Sequence, residues 1–126
     1  MLSNISKALV ALAAVATVAA LPAGHPDAAT CKFVLHPEVP VNADTTNLLL
    51  EFNAAIVDAL IVQSPINQTW SGNSTWIEKG DNFDVKQTIA AIGLTRAQSA
   101  TIMNGWVGTT LPSVVTSWFV KSAHCA

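Results

Sequence analysis

The two cysteines constrain the fold of this chain more than any other feature. The 126-residue sequence has two cysteines, Cys31 and Cys125, one at each end of the domain that follows the first thirty residues. In an exported protein an even cysteine count predicts a disulfide. Closing so long a loop corresponds to about 4–5 kcal/mol of stabilisation by chain entropy. A bridge would also require the two ends of the domain to lie side by side; two free thiols are the alternative.

The first twenty residues predict export. An uncharged run of apolar and small residues extends from Ala8 to Leu21, behind a single basic residue, Lys7. Val18 and Ala20 match the small residues of a signal-peptidase site, so residues 1–20 are expected to form a signal peptide. A membrane anchor is the alternative, but the run is shorter than the roughly 20 apolar residues that span a bilayer. We therefore expect a secreted, extracellular protein with no membrane association after cleavage.

Composition then limits the exported part. The sequence is 51% hydrophobic and only 11% charged, which argues against a disordered chain. Loss of Lys7 with the signal peptide would shift the net charge from −2 to about −3. Such a weakly acidic surface offers no electrostatic basis for binding nucleic acid. We expect residues 21–30 to form a flexible leader and residues 31–126 a single globular domain.

A short repeat follows in the middle of the chain. Asn67-Gln-Thr-Trp70 and Asn73-Ser-Thr-Trp76 each combine an N-glycosylation acceptor with a tryptophan. Because side chains alternate faces in a strand, one continuous strand would place both acceptors on the solvent face and both indoles on the core face. A two-residue hairpin at Ser71-Gly72 would instead direct one glycan into the core. The repeat therefore predicts a continuous strand that is glycosylated at Asn67 and Asn73.

The remaining periodicity predicts the element order β-α-β-β-α-β. Besides the glycosylated strand, strands are expected over 31–35, 83–91 and 113–120, with a helix over 84–92 as the alternative for the middle one. Helices are expected over 45–62, capped by Asp44, and after a Thr95–Gln98 capping box. This order predicts an α+β fold with a small antiparallel sheet, two helices on one face, and a ferredoxin-like arrangement. That arrangement places the first strand beside the last, as the disulfide requires.

The helix over 45–62 has an unusual back. Its core face carries residues such as Phe52, but Leu50, Val57 and Ile61 on the opposite side are apolar too. Only three of its residues make a clear polar stripe: Asn47, Glu51 and Asp58. An apolar strip of this kind favours a homodimer. The alternative is that the leader or the Pro37–Pro40 loop covers it.

The sequence favours no catalytic or metal site. It contains neither a Gly-X-Ser-X-Gly elbow nor a His-Glu-X-X-His motif. The disulfide would bring His36, Glu38 and His124 toward one another, but surface histidines explain them better than a metal site does. Glu51 and Asp58 are expected to be solvated, which is unlike the carboxylate pair of a glycosidase. We therefore expect no catalytic residue, no metal and no cofactor.

The tryptophans allow a second interpretation of the repeat. The chain has four tryptophans and no tyrosine, so its indoles are the natural large residues of the core. If Trp70 and Trp76 were exposed instead, they would stack on sugar rings. This alternative describes a carbohydrate-binding module.

Two segments carry a resemblance to a known group. Phe52-Asn-Ala-Ala-Ile-Val-Asp-Ala-Leu60 and Leu111-Pro-Ser-Val-Val-Thr-Ser-Trp-Phe-Val-Lys-Ser122, with the signal peptide, terminal cysteines and tandem acceptors, resemble the small secreted proteins of mushroom-forming (basidiomycete) fungi. The resemblance implies a non-enzymatic role at the cell surface or in the medium, including effector-like or immune-active roles. It carries over no catalytic residue. We expect a protein or polysaccharide ligand; a small secreted hydrolase is the remote alternative.

Overall fold

The computed structural model describes residues 25–126, so the expected signal peptide and its cleavage site lie outside the described residues. Five strands and two helices follow one another in this part of the chain: β1 (Ala29–Pro37), α1 (Leu48–Ile61), β2 (Thr69–Lys79), β3 (Asn82–Ala91), α2 (Arg96–Asn104), β4 (Thr110–Pro112) and β5 (Ser117–Cys125). The predicted α+β class, with an antiparallel sheet and two helices, is confirmed. The alternative of a helix over 84–92 is wrong, because β3 occupies that segment.

The five strands form one sheet in the order β2-β3-β1-β5-β4, and every neighbouring pair is antiparallel. The first strand therefore lies in the centre of the sheet, with the last long strand at its side. The sheet has one strand more than expected, because the short β4 pairs with the outer edge of β5. The strand expected over 113–120 begins only at Ser117, since residues 113–116 form the loop between β4 and β5.

The predicted disulfide joins Cys31 to Cys125, which lie directly opposite each other on β1 and β5 with their Cα atoms 4.1 Å apart. The next pair, Thr30 and Ala126, exchanges two backbone hydrogen bonds of 3.0 and 3.1 Å. The cysteines therefore occupy a non-hydrogen-bonded pair, in which side chains approach most closely. The buried Cys31 Sγ lies 3.6 Å from the Met103 Sδ atom of α2. The bridge is thus part of the core beneath α2.

Side-chain caps set where the two helices begin. The expected cap at Asp44 is wrong, because α1 begins at Leu48 and the Asn47 side chain accepts a hydrogen bond of 3.1 Å from the Leu50 amide. For α2 the Thr95–Gln98 capping box is confirmed, with both reciprocal hydrogen bonds present. Each cap satisfies amides that the first turn of a helix leaves without partners.

Both helices and one face of the sheet share a single hydrophobic core. At its centre the Phe52 ring of α1 lies 4.9 Å from the Trp118 ring, 5.7 Å from the Phe83 ring and 5.6 Å from the Trp76 ring, measured between centroids. Its contacts with the two indoles are edge-on, a geometry that aromatic pairs prefer. Phe52 therefore ties α1 to three strands of the sheet.

The domain begins earlier in the chain than expected. β1 begins at Ala29, and Ala28 and Ala29 are both buried. The Arg96 guanidinium donates a hydrogen bond of 3.0 Å to the Pro26 carbonyl oxygen. The last residues of the expected leader, 21–30, are therefore built into the domain because they pack and pair with it.

Candidate ligand-binding face

A β-bulge decides which face of the sheet each tryptophan of the repeat occupies. β2 is one continuous strand, as predicted, but its register with β3 shifts between Ser71 and Ser74. Ser71 lies opposite Ile89 and Ser74 opposite Gln87, so β2 has one residue more than β3 across this interval. An extra residue reverses the alternation of side chains along the rest of the strand.

The two indoles consequently lie on opposite faces, and the prediction that both lie on the core face is wrong for Trp70. Trp76 pairs with the buried Val85 and packs against Phe52, so it faces the core. Trp70 faces away from the helices, where it is half-buried and its ring centroid lies 6.1 Å from the His25 ring. A Cβ atom at Gly72 would lie 3.3 Å from the Trp70 ring, so the glycine makes room for the indole.

The bulge and the loop before β2 also change the geometry expected for the glycosylation acceptors. Asn67 lies in the loop before β2, not in the strand, and its side chain is exposed. Its φ of 53° falls in the left-handed region, which asparagine tolerates better than most residues. Asn73 belongs to β2 at the bulge. Modification at Asn67 and Asn73 stays a prediction.

The face of the sheet that turns away from both helices is concave. Register shifts interrupt two strand pairs. One falls between Ser71 and Ser74 of β2, and the other lies opposite Val34 and Leu35 of β1, where β5 has the extra residue; such bulges bend strands. A cavity of about 390 Å³ lies on this face. Its floor comes from β1 and β3 and its sides from β2 and β5, with these outward-facing residues: Lys32, Val34, Thr75, Ile77, Asp84, Lys86, Ser122 and His124. We call this surface the open face.

Three basic side chains form a row across the open face. Lys32 of β1 lies directly opposite Lys86 of β3 on one side and opposite His124 of β5 on the other. Over residues 25–126 the one salt bridge joins Lys79 Nζ to Asp84 Oδ2 at 3.1 Å, so the Asp84 carboxylate that lines the cavity is already paired. We call Lys86, Lys32 and His124 the basic row.

The structure does not bring together the residues that could have suggested a metal site. His124 lies opposite Lys32, which is four residues before His36 on β1, and this separation corresponds to about 13 Å along the strand. The His36 Nδ1 atom lies 2.9 Å from the Asn82 Oδ1 atom instead. Residues 25–126 contain no cluster of three or more histidine, cysteine or acidic side chains that could hold a metal ion.

Glu51 was expected in a solvated stripe, and that expectation is wrong. Its side chain is buried and accepts hydrogen bonds from three N–H groups: the Val115 amide at 2.9 Å, the Trp118 indole at 3.2 Å and the Thr116 amide at 3.4 Å. The carboxylate thus holds the β4–β5 loop against α1. Its position three residues after Leu48 and four before Ala55, both buried, is a helical spacing that could have indicated a buried site.

The apolar strip on the back of α1 is only partly covered. Leu50 is 49% exposed, whereas Val57 and Ile61 are half-buried. Beside them, Ala54 and Asp58 line a shallow groove with Val114 of the β4–β5 loop, and Val114 is 64% exposed. The strip therefore continues onto a neighbouring apolar loop and is not closed by it.

Comparison with models of protein families, with curated proteins and with solved structures finds no match to this chain. In the part of the chain that the structure describes, neither helix is both long and apolar enough to cross a bilayer.

Proposed function

We propose that the chain is an exported, N-glycosylated, non-enzymatic protein that acts by binding a ligand on its open face, at the cell surface or in the medium. The observation that carries this proposal is the difference between the two faces of the sheet. One face is filled by both helices, while the other carries a cavity of about 390 Å³. That volume lies within the range of roughly 300–1,000 Å³ that is typical of small-molecule sites.

The partners of two acidic side chains, Glu51 and Asp84, favour binding over catalysis at these two positions. Glu51 is fully engaged by N–H donors, and Asp84 pairs with Lys79. A carboxylate with these partners is poorly placed to act as a general acid or nucleophile. An effector-like or immune-active role is one form of the binding proposal, in keeping with the resemblance to secreted fungal proteins. A small secreted hydrolase remains the remote alternative.

A second candidate is a carbohydrate-binding module. Trp70 favours it, because the bulge turns this indole to the open face. Trp76 does not, since it packs against Phe52. If sugars stack on Trp70, added cell-wall polysaccharide should change tryptophan emission, and Trp70→Ala should abolish that change while Trp76→Phe preserves it.

At the level of the fold, we propose a ferredoxin-like arrangement to which β4 is added at one edge. The position of β1 between β3 and β5 supports this proposal. The proposal concerns architecture alone, because one fold hosts many functions.

We also propose a homodimer formed through the strip of Leu50, Val57 and Ile61. Continuity with the exposed Val114 supports it. Val57→Glu should convert a dimer to a folded monomer, as measured by light scattering and circular dichroism. A wild-type protein that is already monomeric at high micromolar concentration would rule the dimer out.

The binding proposal is tested by placing a charge in the cavity. Ile77 is 63% exposed on the open face, and Val107, which is 49% exposed after α2, offers a matched control. The purified glycoprotein is screened by NMR against cell-wall polysaccharides and small organic anions. Ligands should shift the NMR signals of open-face amides. Ile77→Glu should weaken ligand binding, whereas Val107→Glu should not. Ligands that bind only elsewhere, and equally to both variants, would contradict the proposal.

A further inference from the structure

We infer that the ligand of the open face carries a carboxylate group and an apolar body, and that the basic row holds the carboxylate. This inference rests on the proposed function, and it names the class of ligand.

The backbone itself brings the basic side chains together. Lys86, Lys32 and His124 are direct neighbours across three adjacent strands. Directly opposite residues in antiparallel strands have Cα atoms about 4.5–5.5 Å apart. Two lysines at this spacing, both on flexible stems, can donate to the same carboxylate.

Opposed lysines are expected to cost the free protein stability. Like charges placed directly opposite each other destabilise a sheet. The chain as a whole has a net charge of −2 and only six lysines and arginines, yet two of these face each other here. An anionic ligand would remove the repulsion, because charge-assisted hydrogen bonds between ammonium and carboxylate groups are among the strongest in proteins.

The residues next to the row match an apolar body better than a second charged group. Two residues along the strands from the row, Val34 and Ile77 lie on either side of Asp84, and both line the same cavity. The Asp84 carboxylate is paired with Lys79, which leaves the two apolar side chains for the body of the ligand. The Thr75 and Ser122 hydroxyls complete its sides. A short aliphatic or aromatic carboxylic acid would place its charge on the row and its hydrocarbon part on Val34 and Ile77.

The test uses octanoate as the probe and the complete secreted glycoprotein as the protein. Titration followed by amide NMR should give saturable shifts at Lys32, Val34, Lys86 and Ser122. The double variant Lys32→Gln/Lys86→Gln should lower the affinity for octanoate at least about tenfold, because two charged hydrogen bonds are lost. Lys121→Gln removes the same charge from an exposed position of β5 outside the cavity, so it should change the affinity by less than about twofold.

Further probes separate the parts of the inference. If acetate binds as tightly as octanoate, the inference that the ligand has an apolar body is wrong. If 1-octanol binds as tightly as octanoate, the inference that the ligand needs a carboxylate is wrong. Oligogalacturonate that binds while octanoate does not would replace the small acid with an acidic polysaccharide. If only uncharged ligands shift the open face, the inference fails while the proposed function survives. If no ligand shifts that face, both fail.

Discussion

The two faces of the sheet differ in whether their charged side chains have partners. On the inner side, Glu51 is the one buried carboxylate among residues 25–126, and it receives three N–H donors from the β4–β5 loop and Trp118. On the outer side, Lys32 and Lys86 face each other without an acidic partner among residues 25–126. Burying a charge is tolerable only when its hydrogen bonds are satisfied, whereas exposed charges are stabilised by water. The inner face is thus organised for stability, and the outer face retains unpaired groups that a ligand can use.

The largest expected effect is on the inner face. Phe52→Ala removes the ring that contacts Phe83, Trp76 and Trp118, and it should lower the free energy of unfolding by about 3–5 kcal/mol. Urea denaturation followed by tryptophan fluorescence measures this loss. Val34→Ala on the open face should cost less than about 1 kcal/mol. Equal losses from the two variants would break the comparison between the faces.

A smaller effect is expected from the buried charge. Glu51→Gln keeps the size of the side chain but removes the charge that three N–H groups share, so it should destabilise the protein by about 1–3 kcal/mol. Hydrogen exchange should show faster opening at the Val115 and Thr116 amides. Asp58→Asn, at an exposed position of the same helix, should stay within about 0.5 kcal/mol of wild type. Unchanged exchange in the β4–β5 loop would show that the carboxylate does not hold it.

The smallest effect has the opposite sign. Lys86→Gln removes the repulsion with Lys32, so it should raise the free energy of unfolding by about 0.2–1 kcal/mol. Adding salt should reduce the gain, because exposed charges are screened. The comparison variant is Lys121→Gln, which should show no such salt-dependent gain. A loss of stability in Lys86→Gln would mean that the lysine stem packs on the sheet, and the basic row would then be structural.

Much of the fold follows from local patterns. The order of the long elements, the strand at β3 and the Thr95–Gln98 cap all depend on residues within a few positions of one another. The short strand β4 was missed because Thr110–Pro112 becomes a strand only by pairing with β5. The strand expected to start at residue 113 failed for a related reason, since the loop there is held by Glu51 from α1.

The sequence by itself determined the α+β class, the antiparallel sheet and the pairing of Cys31 with Cys125, because helical and strand periods and a single cysteine pair leave few alternatives. Tertiary structure alone decided the face of Trp70 and the hydrogen-bond partners of Glu51. The alternation of residue types along β2 indicates a strand but not its pairing register. The bulge near Gly72 is defined only by the pairing of β2 with β3, so the sequence of β2 does not reveal it. The donors to Glu51 lie 64–67 residues away, so no local pattern could reveal them. The basic row has the same origin, because three strands far apart in sequence meet in one register.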